Sequence, residues 1–191
     1  DTGDINLTAS AITMNNGGDV MTWGAGTASL VATVTDITMN DATQVETESG
    51  TIVLTAFNDV KLNTLTSVSG NVIVTAGSGA STTGAILDNS SAETPNVTTS
   101  AALSLNAETG IGAVGVADIN TSVASLSVSN ALTGNVVITE VNGVELTGVD
   151  VEDGSVSITV TNGALTNSAL FAVTSGHIRI DVQNGVFFAN D

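Results

Sequence analysis

Three alternate residues near the C-terminus are the first place to look for chemistry. His177, Arg179 and Asp181 fall at every second position of "GHIRID", so on an extended strand all three project from one face. An imidazole beside a carboxylate is a pairing suited to proton transfer, and a guanidinium is a usual partner of developing negative charge. The same row is equally the ordinary polar face of a last coil, and that is the expectation. The densest acidic run, "ELTGVDVEDG", carries Glu145, Asp150, Glu152 and Asp153. Calcium requires several oxygen ligands converging on one turn. The run has neither the Gly-Gly-x-Gly-x-Asp nonapeptide nor an EF-hand loop, so it is expected to be a solvated acidic loop, with calcium the only cofactor it raises. Asp36 and Asp59 hold matching places in "TDITM" and "NDVKL", a like-charge stack that Lys61 offsets. Thr33 to Thr35 and Thr159 to Thr161 both read "TVT", the local form of an ice-binding array. They do not recur at a common spacing, so they are read as outward threonines with good strand propensity. No catalytic or cofactor-binding residue is assigned.

The composition fits this lack of chemistry. Of 191 residues, 42% are hydrophobic, 3% aromatic and 11% charged. There is one Trp (Trp23), no Tyr and no Cys, which removes disulfide scaffolds and thiolate metal sites. Lys61 and Arg179 stand against 19 acidic residues, a formal net charge of −17. Nucleic acid and anionic membrane surfaces are bound by Lys/Arg clusters, so both are excluded as partners. No apolar run approaches the roughly 18 residues of a spanning helix. The chain starts at Asp1 with no signal-peptide pattern, as expected of a piece cut from something longer or matured.

The elements that must carry these residues are set by internal repetition. Gly, any residue, aliphatic, any residue, aliphatic fits "GDINL" from Gly3, "GTIVL" from Gly50, "GNVIV" from Gly70, "GNVVI" from Gly134, "GSVSI" from Gly154 and "GHIRI" from Gly176. A looser "GTASL" begins at Gly26, and "AALSL" (Ala101) and "ASLSV" (Ala124) keep the alternation across the interval between Gly70 and Gly134. That interval, 134 − 70 = 64 residues, reads as about three periods. Second strands such as "SAITM", "TDITM", "NDVKL" and "NGVEL" follow in several copies. Apolar positions recur every second residue throughout, which is the period of strands and not of helices. One short repeat cannot bury its own apolar side, but stacked repeats lay like residues over like about 4.8 Å apart. The chain is therefore predicted to be all-β: a single right-handed parallel β-helix over 1–191, with about eight or nine coils of roughly 20–24 residues. A loop excursion is expected at 77–96, which holds the only proline, Pro95.

"GDINLTASAITM" and "GTIVLTAFNDVKL" resemble the repeats of filamentous-haemagglutinin-type bacterial exoproteins. The segment from Thr109 to Leu146 resembles a unit of very large bacterial surface proteins of that kind. The resemblance implies an extracellular, cell-surface location and a structural, adhesive rod whose partners are flanking repeats and host or neighbouring-cell glycans or proteins. Two other readings stay open. One is a self-assembling subunit of an extracellular fibre or sheath, joined end to end through Ile5, Leu7, Phe187 and Phe188. The other is a carbohydrate-active β-helix enzyme, for which aromatic platforms and opposed carboxylates are wanting.

Overall fold

The computed structural model describes residues 3–168 and 171–189. It is all-β, and every strand pairing in it is parallel. The first three turns each carry three strands. They are Ile5–Ala9, Ile12–Met14 and Asp19–Thr22; then Ala28–Ala32, Ile37–Met39 and Gln44–Thr47; then Ile52–Ala56, Val60–Leu62 and Thr64–Ser67. Each strand stacks on its counterpart one turn away, giving three faces around a common interior.

Three inward ladders run through the whole stack, each of eight rungs. On the first face the rungs are Leu7, Leu30, Leu54, Val74, Leu105, Val128, Val149 and Phe171. The second face carries Ile12, Ile37, Val60, Ile86, Ile111, Val136, Val156 and Ile178. Inner rungs such as Leu54, Val60 and Ile86 are fully buried. β-Branched and leucine side chains fit this half of the pleat, and alternation sends the residues between them outward. The chain is thus a β-solenoid of about eight turns. A ninth begins where Phe187–Ala189 pairs with Leu165–Asn167.

The interval 77–96 is not one excursion. Ile86–Asp88 lies inside it as a strand on Val60–Leu62, with Ile86 in the core. The extra residues form two bows, 77–85 and 89–96. A third bow at 112–118 exposes Val114 and Val116.

The repeat phrase also changes sides. In "GTIVL" and "GNVIV" the aliphatic residues stand on the first face, whereas in "GNVVI", "GSVSI" and "GHIRI" Val136, Val156 and Ile178 belong to the second. Three turns of the first face, Val74 to Val149, take 149 − 74 = 75 residues, so the 64 residues between Gly70 and Gly134 are not a whole number of turns. The cause is steric. A Cβ on Gly50 would lie 1.9 Å from the Gly26 carbonyl oxygen, and one on Gly154 would lie 1.9 Å from that of Gly134. These are two different corners, each too tight for any other residue.

From turn four the cross-section is rebuilt. Val97–Ala107 and Ile119–Asn130 each run from the third face of one turn into the first face of the next without a break in strand. In turn six Val136–Glu140 spans the second and third faces together.

Candidate functional site: a groove over a buried carboxylate

The third-face ladder reads Val20, Val45, Leu65, Val97, Thr121, Glu140, Val160 and Val182. Six of the eight are aliphatic, and Glu140 occupies a core rung with no solvent exposure. A bare carboxylate there would be very costly, and the site answers with donors. The Thr121 hydroxyl donates to Oε2 at 2.6 Å, the Val123 N–H reaches both oxygens at 3.3 Å, and the Asn142 N–H donates to Oε1 at 3.0 Å. Burial still outweighs these bonds and pushes the Glu140 carboxyl up to about 7.

Two of the three donors belong to residues that line an open groove of about 540 Å³ on the same corner. The groove crosses turns three to six, where the corner changes construction. In the first four turns a buried hydroxyl caps a glycine carbonyl there, Thr22 on Gly26 and Thr47 on Gly50 at 2.6 Å, then Ser67 on Gly50 at 3.1 Å and Thr99 on Gly70 at 2.7 Å. From turn four the continuous strands pass straight through. Thr66, Thr98 and Ser122 stand in register as an outward row along the groove. Val68, Ser100 and Ala124 follow on its other side, and Asn142 closes the row by donating to the Ser122 hydroxyl at 2.6 Å.

The residues singled out from sequence are not brought together at this groove. Glu145, Asp150 and Glu152 are exposed on the strand Val144–Asp153, with Asp153 at its end, so the acidic run is a strand and not a loop. Glu145 accepts from the Ser168 hydroxyl at 2.6 Å, and Glu152 from that of Thr174 at 3.3 Å. Among the described residues no group of three or more His, Asp or Glu is arranged to hold a metal ion. Arg179 and Asp181 do share an outward row and pair at 3.0 Å, with His177 exposed just before their strand. Lys61 Nζ lies 2.8 Å from Asp36 Oδ2, and this contact holds the Asp36 carboxyl below its usual range. Thr33 to Thr35 form a bend and not a strand. Ile5 and Leu7 are first-face rungs, and Phe187 continues the ladder of Val144 and Leu165. Phe188 instead follows Glu145 and Thr166 on the outer row.

Glu140 was overlooked in the sequence, although the signal was there. In "GNVVITE" it shares the parity of Val136 and Ile138, which places it inward. A further buried polar rung, Asn130, stands between Ala107 and Val151. Its amide donates to the Thr133 and Gly134 carbonyls at 2.9 and 2.7 Å and accepts from the Gly110 N–H at 2.8 Å.

What fold and groove define together is an all-parallel β-solenoid with a hydroxyl-lined channel, free of charged side chains, along a corner. No protein-family model matches the chain, and neither a curated protein nor a solved structure matches it.

Proposed function

We propose that the chain is a shaft segment of a secreted or cell-surface bacterial protein, with a structural and adhesive role. The observation that carries this reading is the continuity of the three inward ladders over eight turns. It supports a stiff rod whose outward rows are free to vary without disturbing the core. The groove fits this role as a place of attachment. Its lining offers hydroxyls and an amide but no opposed pair of carboxylates, so nothing there favours the carbohydrate-active enzyme. The test is retention on cells: beads carrying the folded chain should be held on a cell layer that does not hold beads carrying the urea-unfolded chain. Equal retention of the two overturns the adhesive role.

A second reading, the self-assembling fibre subunit, is favoured by uncovered rungs. Leu7 is 41% exposed at one end of the stack, and Ile178 and Phe187 are 45% and 46% exposed at the other. In a fibre the turns of another copy would cover these rungs. Light scattering and electron microscopy of the purified 191-residue chain across a concentration series separate the two. Filaments that shorten on Phe187→Asp support the fibre, and a strictly monomeric species rejects it.

A further inference from the structure

We propose that the groove of turns three to six binds an uncharged carbohydrate chain laid along the solenoid axis, a reading that rests on the adhesive role above and names its ligand. Shape comes first. Four stacked turns at about 4.8 Å per step give a channel of roughly 14 Å, long enough for several units of a repeating polymer. Its contact groups repeat at the same step, so the occupant that matches it is itself periodic.

Chemistry narrows the polymer. The hydroxyls of Thr66 and Thr98 have no hydrogen-bond partner within the described residues, and Ser122 Oγ, already accepting from Asn142, still has a proton to donate. Beside this polar row Val68 is 61% exposed and Ala124 is also exposed, while Ser100 between them turns its hydroxyl onto the Val68 carbonyl at 2.6 Å. A ligand that fills both sides carries hydroxyls along one edge and C–H surface along the other, as a sugar chain does. An extended peptide is less well served. The backbones at Thr66 and Thr98 are paired to the turns on both sides, leaving no free edge there for an added strand, and the one-sided stretch at Ser122–Ala124 is only three residues long, with its Val123 N–H already taken by Glu140.

Charge selects within the carbohydrates. No Lys, Arg, Asp or Glu lines the groove, and the carboxylate bonded to its lining from behind, Glu140, is enclosed and engaged by Thr121, Val123 and Asn142. The chain as a whole carries −17. An anionic polysaccharide is therefore repelled with no local cation to hold it, and a cationic ligand finds no anion in the channel.

The experiment is an NMR titration of the intact isotope-labelled chain with five neutral hexasaccharides, built on β-1,4-glucose, α-1,4-glucose, β-1,3-glucose, xylose and N-acetylglucosamine. A hexagalacturonate and an unstructured neutral peptide serve as comparisons. At least one neutral sugar is expected to shift the backbone amides of Thr66, Thr98 and Ser122 saturably in the millimolar range, with no such shift from the comparisons. Thr98→Arg and Ala124→Arg, both at outward positions, should each weaken it at least tenfold while circular dichroism stays unchanged. No groove shift from any neutral sugar up to about 10 mM, shifts confined to another face, or equal binding of the uronate or the peptide overturns the proposal. Bead retention is measured alongside. Shifts without retention support the groove and reject the adhesive role, whereas retention that survives Thr98→Arg, with no shift in the titration, rejects the groove alone.

Discussion

Replacing Glu140 by Gln should change how the stability of the solenoid depends on pH. Glu140 is enclosed at a core rung, and its carboxyl is pushed up to about 7 from an ordinary 4.5, chiefly by burial. A carboxyl raised in the folded state contributes stability that is fully present below its unfolded value and is lost as pH rises through the folded one. The interval, 7 − 4.5 = 2.5, corresponds to about 3 kcal/mol at 1.36 kcal/mol per unit. For a chain of this length that is roughly 6–12 °C in melting temperature. Gln cannot ionise; its amide oxygen still accepts from the Asn142 and Val123 N–H groups at the Oε1 position, and its NH2 faces the Thr121 hydroxyl, which can turn to accept. Thermal melts at pH 5 and pH 8 are compared for Glu140→Gln and the parent, each with His177→Gln to remove the only imidazole. Asp88, also raised by burial, acts in the same direction in both proteins and cancels in the difference. The parent should lose several degrees more than the variant between the two pH values. Parallel profiles would refute the assignment of Glu140 as a buried group protonated at mild pH.

Leu54→Asp places an unpaired charge on a fully buried rung and should cost more than about 4 kcal/mol; a variant that melts like the parent in urea would show that the register is wrong. Asn130→Ala strands the Gly110 N–H and the Thr133 and Gly134 carbonyls. It should cost about 2–4 kcal/mol, read as a lower urea midpoint at unchanged slope. Millimolar calcium should raise the melting temperature by less than about 5 °C, because Glu145, Asp150, Glu152 and Asp153 are exposed along one strand; a larger rise would show that they converge on the ion.

The period-two alternation and the returning glycine made the solenoid legible, and they fixed inward residues such as Leu54, Val74 and Leu105 in advance. They could not say which face a phrase occupies. Gly50 and Gly154 answer the same steric demand at different corners, and Gly-x-aliphatic-x-aliphatic has no mark that separates one face from another. The strand between the two bows, Ile86–Asp88, was hidden for a related reason: three residues with one core rung are too short to stand out among Gly, Ser and Thr. The groove left no sequence signature at all, because Thr66, Thr98 and Ser122 become neighbours only when the turns stack. Glu140 was readable by parity but had the look of one more surface acid in an acidic chain.

The two basic residues carry a consequence for proteolysis. Trypsin-like enzymes cut after Lys or Arg and need several residues of loose, extended chain to enter their cleft. Lys61 lies in an inner strand of a four-stranded sheet, with Ile37–Met39 on one side and Ile86–Asp88 on the other, and its side chain is tied to Asp36. Arg179 pairs on one side with Val156–Val160 and is tied to Asp181. The described turns thus present such enzymes with one locked position and one half-open position. A cut after Arg179 would leave the groove, which lies in turns three to six, in one piece.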